Sequence, residues 1–458
     1  MRKLFSVLAQ KPNQPRKPRI VVLGSGWGSF NFLQHIDKQK YHVTCVSPSN
    51  HFLFTPLLPS SALGTVEFRS IQEPIRAIKG MAGHYLQGKA VDVDFAQHRV
   101  KCREIFFQHE FDVDYDLLLI SAGNKTNTFN IKNVSENEGR TVFFLKNLWH
   151  ARLIRNRILE CFERAAIPDV NPTERQRLLS FIVVGGGPTS VEFVGELSDF
   201  LKEDVARFYP ELESHISVTI VEAGNCLLGT FDEALKSYVG DKLKRTGFID
   251  VKLKTSVIAL SESGKEATLS DGTVMPVGMM VWSAGLSPVK FVENLPNVER
   301  VGGAKRIVID DQLFVDSEAC EGKVLALGDC AVNKKEPLAP LAQVARQQGL
   351  WLAKELNRMD PEELLQRPAK QVFAEQAKSF SYFHMGSMAT LGGWRGVVDM
   401  THVGDKAHTL NLGRFSGLMS FIFWRSAYLG RQVSAANKLM IPVYWIKTWL
   451  FGRDISRF

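Results

Sequence analysis

The chain has 458 residues, of which 45% are hydrophobic and 23% charged, a composition typical of a globular protein with two or three domains. No uncharged apolar run reaches the roughly 18–20 residues that span a bilayer, so we expect no transmembrane helix. The six cysteines form no Cys-x-x-Cys pair, which argues against a zinc site, an iron–sulfur cluster or a redox-active dithiol, and we expect no bound metal.

The net charge of +8 is concentrated at the two ends of the chain. Residues 1–19 hold six Lys and Arg and no acid, and residues 411–458 hold seven against the single Asp454. We interpret residues 1–18 as a basic tail that is either a mitochondrial targeting segment or a disordered end. Because aromatic residues accompany the basic ones near the C-terminus, we expect a membrane surface with anionic lipid as partner, and no nucleic acid.

The first predicted strand leads into a glycine-rich turn and a helix, in Arg19-Ile-Val-Val-Leu-Gly-Ser-Gly-Trp-Gly-Ser-Phe30. This order is typical of a dinucleotide-binding module: Gly24 permits the tight turn, and Gly26 lets the backbone approach a pyrophosphate. The next predicted strand, Tyr41–Val46, is followed by Ser47, where an NAD-binding module carries an acidic residue for the ribose hydroxyls. The motif alone therefore leaves open which dinucleotide the first module binds.

The same strand–turn–helix order returns in Ser180-Phe-Ile-Val-Val-Gly-Gly-Gly-Pro-Thr-Ser190. In both copies a strand ending in Ser-Ala-Gly follows, and its glycine lies 99 residues (Gly123) and 100 residues (Gly285) after the first glycine of the turn. This repeat predicts two nucleotide-binding modules in one chain. In the second module the ribose position is Glu222, whose carboxylate would repel a 2′-phosphate, so we predict NADH over NADPH.

Two further segments follow the second module. Val324-Leu-Ala-Leu-Gly-Asp329 reads as a strand that ends in a carboxylate suited to a ligand's hydroxyls, although a plain strand-to-turn signal has the same form. If this strand pairs with the first module, that module is discontinuous and the second is inserted into it. Gln343 and Gln347 share one helix face, and their amides suit a quinone carbonyl, with two solvated glutamines as the alternative.

The last segment, Gly413–Phe458, interleaves apolar and aromatic residues with basic ones in runs too short to span a bilayer. This pattern predicts helices that lie in the membrane interface. The alternative is a hydrophobic helix pair buried in a homodimer interface, and both can hold together.

In combination, these motifs resemble the type II NADH:quinone oxidoreductases, the single-subunit alternative NADH dehydrogenases, over nearly the whole chain from about Arg19. The segments that carry the resemblance are Gly-Ser-Gly-Trp-Gly at 24–28, Val-Ser-Pro-Ser-Asn-His-Phe-Leu-Phe-Thr-Pro-Leu-Leu-Pro-Ser at 46–60, Gly-Gly-Gly-Pro-Thr-Ser-Val-Glu-Phe-Val-Gly-Glu-Leu at 185–197, Leu-Gly-Asp at 327–329 and Ala-Gln-Val-Ala-Arg-Gln-Gln-Gly at 342–349. The Ser-Pro-Ser-Asn-His-Phe run is most similar to the eukaryotic, mitochondrial members.

The resemblance implies an α/β flavoprotein with two Rossmann-type dinucleotide-binding domains, the NAD module inserted in the FAD module, and C-terminal amphipathic membrane-binding helices. The expected domains are a discontinuous FAD-binding domain at 19–177 and 289–385, an NADH-binding domain at 178–288, and a membrane-anchoring domain at 386–458.

It also implies FAD as the cofactor, NADH as the substrate and ubiquinone as the acceptor. The residues expected to hold FAD are Gly24, Gly26, Trp27, Gly28, Ser47, Thr55, Pro56, Ala122, Gly123, Gly328, Asp329, Ala342 and Gln343. The residues expected to hold NADH are Gly185, Gly187, Pro188, Thr189, Glu192, Glu222, Ala284 and Gly285. The expected catalytic residues are Glu192, where nicotinamide meets flavin, and Gln343 and Gln347 beside the quinone.

The expected activity is hydride transfer from NADH to FAD and then transfer of two electrons and two protons to ubiquinone, without proton pumping. A respiratory-chain enzyme at the mitochondrial inner membrane, bound on one face and dimeric, fits these expectations. Three alternatives remain: a sulfide:quinone oxidoreductase with Cys161 and Cys330 as reactive thiols, a soluble ferredoxin-type reductase, and a membrane-bound NADH-sensing flavoprotein with little turnover.

Overall fold

The computed structural model describes residues 16–405 and 408–457, so most of the predicted basic tail at 1–18 lies outside the described residues. The chain divides into two compact units. The first unit comprises Met1–Phe52, Pro74–Gly123 and Pro288–Phe380. The second unit comprises Leu53–Glu73, Asn124–Ser287 and Ser381–Phe458. The predicted boundaries of the FAD-binding, NADH-binding and membrane-anchoring domains stay predictions.

A seven-stranded sheet forms the centre of the first unit. In spatial order its strands are Val324–Ala326, Leu117–Ile120, Arg19–Leu23, His42–Ser47, Tyr85–Asp94, Arg99–Glu104 and Glu110–Asp114. The first five are parallel, and the last two continue the sheet as an antiparallel ribbon. The central parallel strands are continuous apolar runs with buried side chains, as expected where both faces of a sheet are covered.

The parallel strands of this sheet end at one edge, where ligands bind in open α/β sheets. The first glycine turn (residues 24–28), Ser47, the Ser-Ala-Gly turn at 121–123 and Gly328 all follow strands at this edge. The strand Val324–Ala326 pairs with Leu117–Ile120, so distant segments of the chain build a single sheet.

The other elements of the first unit are short except for one helix. Its helices are Trp27–His35, Lys290–Glu293, Ala342–Arg358, Pro361–Gln366 and Ala369–Gln376, with 3-10 turns at Ile75–Ala77, Glu318–Cys320 and Gly328–Cys330. A small sheet contains Arg300–Val301, Arg306–Ile309 and Ala331–Asn333. We call Ala342–Arg358 the glutamine helix. Gly349 of this helix lies against the carbonyl of Gly28, and a side chain at Gly349 would prevent this close approach.

A five-stranded parallel sheet forms the centre of the second unit. In spatial order its strands are Val142–Phe144, Met279–Trp282, Ser180–Val184, Ser217–Val221 and Ile249–Lys252. Antiparallel groups accompany it: Val257–Leu260 with Glu266–Leu269 and Val274–Pro276, Ser387–Gly392 with Arg395–Asp399 and Arg414–Gly417, and Val403–Gly404 with Thr409–Leu410. Two further strand pairs are His51–Leu53 with Gln72–Pro74, and Asn124–Thr126 with Leu286–Pro288.

The helices of the second unit include the element that carries Glu192. Its α-helices are Leu58–Ala62, Leu148–Ala165, Pro172–Leu178, Pro188–Phe200, Ala206–Phe208, Glu233–Lys244, Leu418–Gly430 and Ala435–Phe451. A π-helical turn, Leu201–Val205, continues Pro188–Phe200, and 3-10 turns occur at Thr55–Leu57, Phe68–Ile71, Ser135–Asn137 and Pro210–His215. We call Pro188–Phe200 the carboxylate helix, and Leu418–Gly430 with Ala435–Phe451 the C-terminal helix pair. Among the described residues, no helix combines the length and hydrophobicity needed to cross a membrane.

Candidate active site

The first glycine turn has the geometry of a pyrophosphate-binding turn. Gly24 has a φ of 114°, and a Cβ at this position would collide with the carbonyl oxygen of Ser121. Gly26 caps the helix Trp27–His35, and no described atom lies within 4 Å of the place where its Cβ would be. The start of this helix, whose dipole favours an anion, therefore borders space that a phosphate can occupy.

Ser47, which replaces the usual acidic residue, is buried beside this turn. Its hydroxyl oxygen lies 2.9 Å from that of Ser25 and accepts the Ser49 N–H at 3.3 Å. The Trp27 ring meets the Phe52 ring edge-to-face at 5.0 Å. Thr55 and Pro56 begin the 3-10 turn Thr55–Leu57 in the second unit, whereas the other residues predicted for FAD lie in the first.

The Gly-Asp turn is held by a residue that the sequence analysis missed. The N–H of Gly328 donates to Oε1 of Gln348 at 2.7 Å, and Gln348 is buried. Gln343 and Gln347, which were predicted for the quinone, are half-buried on the same glutamine helix. Asp329 is half-buried at the turn. Burial lowers the pKa of Arg306, and the charge of the Asp329 carboxylate opposes part of this lowering.

The second glycine turn (residues 185–187) repeats the geometry of the first. Gly185 has a φ of 112°, close to that of Gly24. Gly187 caps the carboxylate helix, and no described atom lies within 4 Å of its Cβ position. Pro188 occupies the first turn of the helix, where a missing N–H costs little, and Pro188 and Thr189 are exposed.

Glu222 and the second Ser-Ala-Gly turn lie on opposite sides of the second glycine turn. Oε2 of Glu222 lies 2.8 Å from the Cβ position of Gly186, and its Oε1 accepts the Gly224 N–H at 2.5 Å. Ala284 and Gly285 follow Met279–Trp282, the neighbouring strand on the other side. The hydroxyl oxygens of Ser190 and Ser283 are 2.6 Å apart and link the turn to this neighbour.

The two turns fit the dinucleotides that the sequence predicts. In each, the glycine that caps a helix start has no other described residue within 4 Å of its Cβ position apart from its chain neighbours, an arrangement that lets a pyrophosphate approach. Gly24, Gly26, Gly123 and Asp329 would hold FAD at the first edge. Gly185, Gly187, Glu222 and Gly285 would hold NADH at the second.

Glu192 lies one turn into the carboxylate helix and is buried. Its Oε1 accepts the indole N–H of Trp424 at 2.9 Å and the backbone N–H of Thr390 at 3.4 Å. Burial raises the pKa of Glu192 to about 8, even though both hydrogen bonds favour the charged form. Burial of the Tyr428 hydroxyl, together with the charge of Glu192, raises the pKa of Tyr428. Burial therefore favours the protonated form of the Glu192 carboxyl group at neutral pH.

The carboxylate helix carries two further acids on neighbouring turns. Glu196 accepts hydrogen bonds from the hydroxyls of Ser60 and Thr65, both at 2.6 Å. Burial and the charge of Glu196 raise the pKa of Asp199 to about 7, and Asp199 accepts the Gly393 N–H at 2.7 Å. Groups with pKa values raised toward neutrality are frequent at functional sites.

A buried arginine from the end of the chain neutralises this acidic region. Arg453 is 6% exposed and pairs with Asp204 and Glu203 at 2.8 and 2.9 Å. Its guanidinium also donates to Thr65 at 3.1 Å and lies 3.8 Å from Glu196. Arg453 is one of the seven basic residues at 411–458 for which the sequence predicts a membrane surface, and the structure instead shows an internal partner of carboxylates.

The C-terminal helix pair has one buried face and one exposed face. Phe421, Trp424 and Trp445 are buried, and the guanidinium of Arg425 lies 4.4 Å from the rings of Phe421 and Trp445. The most exposed apolar side chains of the helix pair are Met419, Leu439, Ile446, Trp449, Leu450 and Phe451. Lys438 and Lys447 are exposed beside them. The exposed face therefore combines apolar and basic residues.

The cysteines have no arrangement that suits thiol chemistry. All six are free thiols, and burial raises the pKa of Cys161 and of Cys330 to about 11. A thiol with a raised pKa is a poor nucleophile at neutral pH. Within the described part of the chain, no group of His, Cys, Asp and Glu side chains could hold a metal ion.

Comparison with known proteins agrees with this architecture. The profile of the pyridine nucleotide-disulphide oxidoreductase family matches residues 18–349, and that of the NDH2 C-terminal domain matches residues 384–454. A probable NADH dehydrogenase of Dictyostelium discoideum is 39% identical over 96% of this chain and 91% of its own length. The internal alternative NAD(P)H-ubiquinone oxidoreductase A1, mitochondrial, of Solanum tuberosum is 40% identical over 96% of this chain and 88% of its own length.

A solved structure extends the similarity to the three-dimensional level. The structure of NDH2 from Plasmodium falciparum in complex with NADH matches with a TM-score of 0.83 at 25% identity, covering 96% of this chain and 100% of that one. The chain therefore belongs to the pyridine nucleotide-disulphide oxidoreductase family and, within it, to the type II NADH:quinone oxidoreductases, as its motifs predict.

Proposed function

We propose that this chain oxidises NADH and reduces ubiquinone at the surface of a mitochondrial membrane, with FAD as its bound cofactor. The observation that carries the proposal is the pair of glycine turns, each opening on free space at a helix start, with Glu222 beside the second. The relatives' names, which include NADH dehydrogenase and mitochondrial NAD(P)H-ubiquinone oxidoreductase, support the same reaction.

When bound, FAD would supply the two-electron chemistry that links NADH to the quinone. The protein contributes binding, orientation and a proton. Reduction of a quinone by NADH takes up one proton per turnover, because the hydride brings two electrons and one of the two hydrogens. Glu192 is protonated at neutral pH and buried, so we assign it the role of holding that proton.

The quinone is assigned to Gln343 and Gln347 on the glutamine helix. Each amide can donate to a quinone carbonyl and accept from a quinol hydroxyl, so the pair suits both forms of the acceptor. Their half-buried position at the start of the helix leaves part of each side chain accessible.

The exposed face of the C-terminal helix pair would lie on the membrane. Its apolar side chains match the acyl boundary, and Lys438 and Lys447 match anionic headgroups. This places the enzyme where its lipid-soluble acceptor is found. Homodimerisation through the same helices is a second use of this face, and light scattering in mild detergent tests it, since a monomer would rule it out.

A single-turnover experiment tests the reaction. The full chain is purified with its flavin and mixed with NADH in the absence of oxygen, and a short-chain ubiquinone is then added. We expect the flavin absorbance to bleach and to return as one quinol forms per NADH.

Each other result removes a different part of the proposal. If NADH bleaches the flavin but added quinone does not restore its absorbance, the assignment of the quinone to Gln343 and Gln347 would be contradicted. An NADH-sensing protein with little turnover would then be favoured. A flavin reduced by sulfide and not by NADH would contradict the proposal, and the raised pKa values of Cys161 and Cys330 make that outcome unexpected.

A further inference from the structure

Phe129 is an exposed aromatic residue in an unfavourable backbone conformation. Its side chain is 57% exposed, and its φ of 53° is followed by a φ of 55° at Asn130. Two consecutive non-glycine residues in the left-handed region are uncommon, and they persist where surrounding structure fixes them. Such strain concentrates at ligand-binding segments.

The surrounding structure fixes this loop to the second Ser-Ala-Gly turn. Oδ1 of Asn127 accepts the Phe129 N–H at 2.8 Å, and the Asn127 N–H donates to the carbonyl of Gly285 at 3.4 Å. The buried Trp282 donates its indole N–H to the carbonyls of both Asn127 and Ala284, each at 3.0 Å. The hydrogen bonds of Asn127 and Trp282 therefore hold the loop and the turn together.

These bonds place the Phe129 ring directly on Gly285. A Cβ added at Gly285 would lie 2.5 Å from Cζ and 2.8 Å from Cε2 of Phe129. Gly285 follows the strand Met279–Trp282, so the ring lies at the ligand-binding edge of the second sheet.

The order of the strands identifies which half of NADH this ring would meet. Glu222, the adenosine-ribose residue, follows the strand on one side of the second glycine turn, and Gly285 follows the strand on the other side. With the pyrophosphate at the helix start between them, the nicotinamide half must run toward Gly285.

We propose that Phe129 is an aromatic lid that packs on the nicotinamide riboside half of NADH and slows its release. The inference rests on the proposed NADH site and adds a binding residue to it. An aromatic ring stacks well on a nicotinamide or ribose face and presents a large apolar area with few rotatable bonds.

NADH and ADP-ribose distinguish a contact with the nicotinamide half from a general effect on nucleotide binding. Anaerobic titration calorimetry on the full chain with its flavin already reduced, so that NADH binds without reacting, would compare NADH with ADP-ribose, which keeps the adenosine and pyrophosphate but lacks the nicotinamide. For Phe129→Ala, we expect the Kd of NADH to rise about tenfold while the Kd of ADP-ribose stays unchanged. Phe129→Tyr keeps the ring and should keep wild-type affinity for both ligands. Phe208→Ala, at another exposed aromatic residue of the same unit, is the matched control.

The possible results separate cleanly. Equal weakening of both ligands in Phe129→Ala, or no change in either, would overturn the lid. If the wild-type protein binds NADH no more tightly than ADP-ribose, the lid would be overturned as well. Failure of the wild type to bind either ligand would instead contradict the proposed NADH site.

Discussion

At the scale of single residues, the burial of Glu192 determines the chemistry available to the second unit. An isolated carboxylate in an apolar site is costly, and the protein meets this cost by keeping the acid protonated and giving it one strong donor, the indole of Trp424. Burial thereby favours a carboxyl group that carries its proton. If Glu192 supplies the proton, activity and stability should depend on pH in the same range.

Replacing Glu192 by Gln tests this role. If the protonated acid supplies the proton, wild-type kcat falls as pH rises through about 8, the pKa of Glu192. Glu192→Gln should lower kcat by roughly 10²-fold and remove this dependence on pH. Steady-state rates with saturating NADH and quinone measure it, with Glu213→Gln, at an exposed carboxylate outside the Arg453 ion pairs, as the control.

The stability of the same variant has a definite sign. The folded-state pKa of Glu192 lies above its ordinary value of 4.5, so the unfolded chain binds fewer protons between pH 4.5 and about 8. The free energy of unfolding contributed by this group therefore falls as pH rises through this window. Glu192→Gln should flatten that fall in denaturant titrations, and an unchanged slope would contradict the raised pKa.

We predict that Glu222 governs the choice between NADH and NADPH. Its carboxylate lies against the second glycine turn, where a 2′-phosphate would bring like charges together. Glu222→Gln removes the charge and keeps the shape, so we expect kcat/KM for NADPH to rise about tenfold relative to NADH. Glu233→Gln, at an exposed acid of the same unit, should leave this ratio unchanged. A wild-type protein with equal use of both nucleotides would refute the assignment.

At the scale of elements, the end of the chain is fastened to the π-helical turn that follows the carboxylate helix. Arg453 pairs there with Asp204, and Gly452 provides the close approach between the two segments. Arg453→Ala would leave Asp204 buried without its cation, and loss of one member of a buried pair costs about 3–5 kcal/mol. We expect a loss of this order in urea unfolding, against little change for the exposed Arg457→Ala.

The C-terminal helix pair predicts a membrane-binding surface that can be separated from catalysis. Trp449, Leu450 and Phe451 are exposed on its last turn. Replacing all three by Ser should reduce co-sedimentation with vesicles containing anionic lipid, while NADH oxidation with a water-soluble quinone stays near wild type. Val274→Ser removes an exposed apolar residue elsewhere in the second unit and should leave vesicle binding unchanged. If the triple variant binds the vesicles as well as the wild type does, the proposed membrane-binding surface would be contradicted.

At the scale of the whole molecule, the repeated glycine turns made the architecture predictable. Each turn dictates its backbone locally, so the sequence predicts Gly24 and Gly26, and their counterparts Gly185 and Gly187, between a strand and a helix, where the structure also has them. The family assignment is likewise confirmed by the relatives. The domain boundaries and the role of each site residue stay predictions.

What the sequence could not provide are pairings between residues far apart in the chain. Trp424 and Arg453 read as membrane-facing residues because their neighbours are apolar or basic, and only the packed structure brings them to carboxylates more than 200 positions away. In the sequence Gln348 cannot be told from its neighbour Gln347, and only the packing of the helix shows that Gln348 is buried and bonded to Gly328. Phe129 had no motif at all.

Steady-state NADH oxidation by the full chain bound to vesicles, with and without ubiquinone in the bilayer, tests the central claim most directly. We predict fast oxidation that depends on the quinone, forms one quinol per NADH, and is far slower with NADPH. Oxidation at the same rate without any quinone, or none in its presence, would contradict an NADH:quinone oxidoreductase.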